Sequence, residues 1–329
     1  CYNASRWLDE SIQSVLSQSY EKFEYILVDD GSKDDTLSII RRHALNDSRI
    51  VVIAKSNTGL TDSLNVGIMK ARGKWIARQD ADDISEPNRL EKQVQFAMAN
   101  PGLVFIGTGL TEIDENGRKL SVHRYPLRHN ELVSHLEWAK KFPPHSSAFY
   151  RSDVVRSIAG YRPRIRRSQD TDLWLRLSAV GELACIDEPL VKIRRHAEQI
   201  SHGESGRQQQ IDSRLALTSY YLRKMRVDDP VNADQETFNF FYAWLEQELM
   251  DDGLFQFQDH RCHLKMALNS EETCVSKWLN FGVIFASRPL LSFRLLRERL
   301  FGEPTAAQLA KKWIKVRKSI SVSIGKVAA

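Results

Sequence analysis

The chain has 329 residues, 42% of them hydrophobic and 27% charged, and a net charge of +5. That suffices for one large domain, or for a catalytic domain with a smaller appendage. The charge is too modest and the aromatics too scattered for a nucleic-acid partner.

The first residues, Cys1-Tyr2-Asn3, run almost at once into a helical pattern carried by Leu8, Ile12, Val15 and Leu16. With no initiator Met and no strand ahead of that helix, the expectation is a fragment that has lost a first β-strand. Phe23 to Val28 reads as a buried strand ending in Asp29-Asp30-Gly31-Ser32. A helix with Leu37, Ile40 and Leu45 follows, then a strand over Ile50 to Ala54. Leu60, Leu64 and Ile68 mark another helix, closed by Gly73. Lys74 to Gln79 reads as a third strand, ending in Asp80-Ala81-Asp82-Asp83. Such alternation with short loops predicts a parallel sheet with right-handed crossovers. Ligands of such sheets sit beyond the carboxyl ends of the strands, and both acidic turns fall there.

Further on, Asp114-Glu115-Asn116-Gly117 reads as a hairpin turn. A helix beginning at Asp170 places Leu173, Trp174 and Leu177 in a core, and from about residue 204 the pattern is mostly helical. The four cysteines, Cys1, Cys185, Cys262 and Cys274, form no CxxC pair, which argues against a zinc ribbon or a disulfide framework and fits a reducing compartment. No apolar run reaches the roughly 18 residues of a membrane span, and no signal peptide is visible.

The acidic cluster carries the chemistry. Alternate side chains at a strand end point the same way, so Asp80 and Asp82 can face one pocket. Carboxylates held together repel unless a cation neutralises them. Mg²⁺ and Mn²⁺ favour a few carboxylates plus phosphate oxygens. The competing reading is a solvated acidic turn capping a helix near Pro87.

Taken together, Val28-Asp29-Asp30-Gly31-Ser32, Asn57-Thr58-Gly59, Leu64-Asn65-Val66-Gly67-Ile68 and Gln79-Asp80-Ala81-Asp82-Asp83 resemble the family-2 glycosyltransferases of the GT-A fold. Gln169-Asp170-Thr171-Asp172-Leu173-Trp174-Leu175-Arg176-Leu177 resembles the family's ED-x-DLWLRL segment. Asp187-Glu188-Pro189-Leu190 with Arg194-Arg195-His196 resembles the segment that closes its catalytic domain. The resemblance implies an α/β fold, a Rossmann-like mixed and mainly parallel sheet with helices on both faces. Residues 1–203 would form the catalytic domain, lacking its first strand; residues 204–329, beyond the resemblance, read from their own pattern as a helical region that either associates with a membrane or packs with a basic face outward.

Roles follow from the same resemblance. Tyr2, Asn57 and Gly59 would lie beside the nucleotide. Asp30 would bind the base with help from Asp29. Asp80 would face the ribose or sugar and also the metal, Asp82 would be the main ligand of Mn²⁺ or Mg²⁺, and Asp83 would hold sugar or metal. His196 would approach the metal or diphosphate, unless it is a surface histidine in a basic run. Asp170 would be the general base of an inverting displacement, with an N-cap role as the alternative and Asp172 as the rival base. Gln169 stands where the family usually has Glu. His145, in Phe142-Pro143-Pro144-His145-Ser146-Ser147, would contact the acceptor or belong to a plain structural loop.

The activity implied is sugar transfer from a nucleotide sugar, a UDP-sugar, to a lipid-linked or surface-polysaccharide acceptor such as O-antigen, capsule or lipopolysaccharide core. The setting implied is cytoplasmic, at the inner face of the plasma membrane. From Arg288 to Lys318, nine basic residues stand against Glu298 and Glu303, interleaved with apolar ones, which reads either as a segment for an anionic membrane surface or as a packed helix with a basic face. A nucleotidyltransferase is the alternative enzyme, but its Gly-rich phosphate loop with a following Lys is not visible. A nucleotide- or glycan-binding protein of the same fold is the non-catalytic alternative, kept open by Gln169.

Overall fold

The computed structural model describes residues 1–196, 205–251 and 305–327. The chain divides into two compact units, Cys1–Ser205 and Gly206–Ala329.

In the first unit, helix α1 (Ser5–Leu16) buries Leu8, Ile12 and Val15, positions one turn apart on a single face. Strand β1 (Tyr25–Asp29), helix α2 (Thr36–Asn46) and strand β2 (Ile50–Ala54) follow. Leu8 and Ile12 pack with Leu27, Ile39, Ile40 and Ile50 in one cluster. Each such aliphatic side chain contributes roughly 1.5–3 kcal/mol when fully buried. The inward face of α2 is Thr36, Ile39 and Ile40, whereas Leu45 is 87% exposed. Leu45 lies five residues past Ile40, about 140° around the helix, and so cannot share its face. β1 and β2 pair in parallel, Tyr25 opposite Ile50 through Asp29 opposite Ala54.

Helix α3 (Leu60–Lys70) leads to β3 (Trp75–Ala77), followed by β4 (Ile84–Ser85), α4 (Arg89–Ala99), β5 (Leu103–Ile113) and β6 (Lys119–His123). Then come α5 (His129–Glu137), a 3-10 turn (His145–Ser147), β7 (Phe149–Arg151), α6 (Ser152–Ser157), α7 (Gln169–Leu177) and β8 (Glu182–Arg194). The hairpin at Asp114 to Gly117 joins β5 and β6, with Asp114 and Arg118 paired through the backbone and Gly117 at φ +80°.

The expectation of a mainly parallel sheet needs correction. β3 does not join β1 and β2 but pairs antiparallel with β7. The larger sheet runs β3-β7-β5-β8-β4, with β6 on β5, and only β5 and β8 in it are parallel. Hydrophobic periodicity marks a segment as a strand but does not name its neighbour, and here the long return strands after residue 103 supply antiparallel partners.

The second unit is helical in its described parts: α8 (Ser205–Lys224), α9 (Gln235–Asp251) and α10 (Thr305–Val327). Its core gathers Phe241 and Trp244 of α9 around Trp313, which is 1% exposed. Trp313 therefore points inward, while Lys311, Lys312, Lys315, Arg317 and Lys318 form the exposed side of α10. Arg288 to Glu303, the rest of the basic stretch, lies outside the described residues, as do Cys262 and Cys274. Cys1 and Cys185 are free thiols. Among the described residues no helix is long and apolar enough to cross a membrane.

Candidate active site

The first unit holds a cleft of about 2060 Å³. Its lining includes Tyr2, Asp30, Asn57, Gly59, Asp80, Asp82, Gln169 and His196, whereas Asp170 is not among the lining residues. Asp30 follows β1, the acidic turn follows β3, His196 follows β8, and Gln169 opens α7. Separate parts of the sequence thus converge on one cavity.

Asp30 is 4% exposed, and its carboxylate is already engaged. Oδ1 accepts from Lys55 Nζ at 2.5 Å and from the Thr58 amide at 3.0 Å, and Oδ2 accepts from the Gly59 amide at 2.9 Å. Burial works against the charge, but Lys55 and the two amides outweigh it and hold the carboxyl below the ordinary range. Asp30 therefore anchors the Asn57-Thr58-Gly59 loop. Gly31 has φ +73°, and a Cβ there would lie 2.8 Å from the Asn57 amide nitrogen, so the two loops meet backbone to backbone. Asp29, expected to assist at the base, is buried, and Oδ2 accepts from the Ser32 amide at 3.3 Å.

The acidic turn separates into three environments. Asp80 pairs with the Arg78 guanidinium and accepts from Ser146 Oγ at 2.6 Å. Burial would raise its pKa, but Arg78, His145 and Ser146 bring it down to about 2. Asp83 is turned inward, 3% exposed, and accepts from the Arg194 amide at 3.1 Å. Burial, then the charges of Asp80 and Asp82, push its carboxyl well above the usual range. Ser146 Oγ also lies 2.5 Å from Asp83. One hydroxyl proton cannot serve two carboxylates, so a protonated Asp83 donates to Ser146 and Ser146 donates to Asp80. Asp83 thus braces the turn from within and does not line the cleft.

Asp82 lies within the cleft, with Oδ2 3.0 Å from His196 Nε2. His196 is not a surface histidine: its side chain is 7% exposed and its ring packs 4.3 Å from Trp7. Its Nδ1 is buried with no hydrogen-bond partner. Among the described residues, no group of three or more His, Cys, Asp or Glu is placed to hold a metal. A carboxylate and an imidazole nevertheless suit Mn²⁺ or Mg²⁺ when diphosphate oxygens complete the shell.

Asp170 sits in the first turn of α7 behind the N-cap Ser168, and burial raises its pKa. Asp172 faces the interior, 0% exposed, clamped between Arg162 and Arg176. Gln169 lines the cleft with Oε1 buried and unpartnered. His145 does not line the cleft. Its Nε2 lies 2.7 Å from the Tyr161 hydroxyl, and burial followed by the Arg78 charge lowers its pKa to about 3, leaving the ring neutral.

Several contributors escaped the sequence reading. Lys55 and Arg78 reach Asp30 and Asp80 without belonging to any quoted pattern, and Ser146, though inside the quoted His145 segment, was given no role there. Arg194 stands in a quoted motif, yet only the fold shows its guanidinium tying the carbonyls of Asp82, Asp114 and Glu115 together.

The sequence model described as Glycosyl transferase family 2 matches residues 1–159. The putative glycosyltransferase EpsE of Bacillus subtilis is 40% identical over 203 residues, 60% of this chain and 71% of that protein. The chain belongs to glycosyltransferase family 2. A second relative of this glycosyltransferase, the O-antigen biosynthesis glycosyltransferase WbnJ of Escherichia coli, is 34% identical over 52% of the chain and 66% of its own length. Two solved structures share the fold at low identity. S. aureus TarS 1-349 in complex with UDP-GlcNAc has a TM-score of 0.58 and 16% identity, over 95% of this chain and 89% of that one. The mannosyltransferase PcManGT of Pyrobaculum calidifontis, in complex with GDP-Man and Mn²⁺, has a TM-score of 0.52 and 17% identity, over 96% and 86%. The family-2 glycosyltransferase therefore has the GT-A fold.

Proposed function

We propose that this glycosyltransferase is an inverting enzyme that moves a sugar from a UDP-sugar to a hydroxyl of a surface-polysaccharide or lipid-linked acceptor, with Mn²⁺ or Mg²⁺ at Asp82 and His196. The observation that carries the reading is the convergence on one cleft of Asp30 after β1, Asp82 after β3 and His196 after β8. The O-antigen biosynthesis named for WbnJ supports the acceptor class, and the nucleotide sugars bound in the two related structures support a nucleotide-sugar donor.

Tyr2 and the Asn57-Thr58-Gly59 loop seat the nucleoside. A base N–H reaches Asp30 by adding to its three donors or by displacing Lys55, the flexible one among them. Asp80, held by Arg78 and Ser146, faces the ribose or sugar. A bound divalent ion would stabilise charge on the departing nucleoside diphosphate. Asp170 takes the proton from the acceptor hydroxyl as that oxygen attacks the anomeric carbon on the face opposite the diphosphate. A raised pKa brings this carboxylate toward the working pH. The exposed lysines of α10 suit an anionic membrane carrying the acceptor.

The test is nucleoside diphosphate release from a panel of UDP- and GDP-sugars, with and without Mn²⁺. Metal-dependent release with one donor, lost in Asp82→Ala, is expected. Equal release by Asp82→Ala would remove Asp82 from the metal site, and no release with any donor would refute the transferase assignment.

A further inference from the structure

The loop between α6 and α7 is fastened at several points. The Tyr161 amide donates to Asn65 Oδ1, and the Tyr161 carbonyl accepts from Asn65 Nδ2, each at 2.8 Å. Arg162 pairs with Asp172 of α7, and the Ile165 amide donates to Arg162 O at 3.0 Å. The Ile165 side chain is fully buried. Arg166 and Arg167 at the end of this loop, and Gln169 at the start of α7, line the cleft. A loop tied to a helix in this way presents its side chains from a fixed base.

Gln169 is 7% exposed, and its Oε1 is buried without a hydrogen-bond partner. Buried polar side-chain atoms are satisfied as a rule, so an orphan acceptor in the wall of a cleft points to a ligand that completes it. The carboxamide is also neutral. A carboxylate of the same shape would stand next in the chain to Asp170, whose ionisation burial already opposes. An anion brought to that place would then meet two like charges. The chain instead sets an uncharged amide beside Asp170, with the Arg167 and Arg166 guanidiniums just before it. Guanidiniums hold carboxylate and phosphate oxygens through paired N–H donors.

We propose that the acceptor carries an anionic group, a carboxylate or a phosphate, near its reacting hydroxyl, with Arg166 and Arg167 taking the anion and Gln169 Oε1 accepting from a neighbouring hydroxyl. This rests on the transferase reading above and narrows its acceptor class. Gln169 is thereby a specificity residue, and a substrate hydroxyl satisfies its orphan oxygen. Arg166 is exposed and Arg167 half-buried, so the bound anion stays partly hydrated and its attraction weakens with salt.

The test titrates matched p-nitrophenyl glycosides into the full chain holding UDP and Mn²⁺: glucoside, glucuronide and glucoside 6-phosphate, and the corresponding galactose set. In at least one set the carboxylate or the phosphate member should bind at least about tenfold more tightly than the neutral one, and which of them does so names the anion. The preference should shrink at an ionic strength of about 1 M. Gln169→Glu should remove it, and so should the double variant Arg166→Gln with Arg167→Gln; melting curves confirm that both variants fold. Equal affinity within each set, tighter binding of the neutral member, no binding of any member, or a preference that survives both variants would overturn the proposal. So would a loss of UDP affinity in the arginine variant, which would give the guanidiniums to the diphosphate. UDP binding by the wild type is read separately. Its failure would sink the donor assignment, whereas UDP binding without an anion preference would leave that assignment standing and remove only this inference.

Discussion

Asp170 and Asp172 stand two residues apart on α7 and have opposite fates. The Arg162 and Arg176 guanidiniums neutralise Asp172 in the interior, which commits it to holding the helix. Among the described residues no guanidinium is paired with Asp170, and burial raises its pKa, which suits it to the proton-acceptor role proposed above. Its working form is ionised, so kcat/KM should fall as pH drops through the Asp170 pKa, at a higher pH than for an ordinary carboxylate. The sign follows from the shift: burial favours the protonated form, so more alkaline solution is needed to charge it. Asp170→Asn should lower kcat by roughly 10²–10⁴-fold and erase this acid limb while leaving donor affinity within about twofold. Rate profiles across pH with calorimetric donor binding make the comparison; a variant that keeps its rate removes Asp170 from catalysis. The sequence displayed Asp170, Asp82 and His196 because their motifs are local. It could not display Asp83's inward turn, which depends on a hydroxyl at Ser146 and an amide at Arg194, remote in the chain and close only in the fold.

At the scale of elements, helices were more legible than strand partners. Leu8, Ile12 and Val15 repeat at the helical period, and α1 buries those three. Trp75 to Ala77 read as a strand equally well, but nothing in so short a run indicates that Phe149 to Arg151 lies beside it. Loop contacts were also hidden, and the one between Gly31 and Asn57 invites a test. Gly31 combines φ +73° with a Cβ position 2.8 Å from the Asn57 nitrogen and 3.2 Å from Lys55 O, all of it backbone that cannot swing aside. Gly31→Ala should destabilise the first unit by about 1–3 kcal/mol. Because the push falls on the loop proposed to seat the nucleoside, donor affinity should fall as well. Urea unfolding and donor titration of the same variant would read both. Loss of stability with unchanged affinity would mean that the Asn57 loop does not touch the nucleoside.

At the scale of the molecule, each compact unit has its own apolar core: Leu8, Ile12, Leu27 and Ile40 in the first, Phe241, Trp244 and Trp313 in the second. A chain with two cores need not unfold in one step, and each transition answers to different chemistry. The cleft lining lies wholly within Cys1–Ser205. A ligand that binds only the folded form adds about 2.7 kcal/mol at a hundred times its dissociation constant. The preferred nucleotide sugar, with Mn²⁺, should therefore shift the transition of the first unit upward and leave that of the second in place. Trp313→Ala should do the reverse. Emptying a site that is 1% exposed among three aromatic rings costs about 3–5 kcal/mol, and the loss falls on the second unit. Scanning calorimetry of the wild type and of this variant, each with and without donor, separates the two effects. If donor and substitution move a single common transition by additive amounts, the units unfold together and the second core contributes to the stability of the catalytic fold.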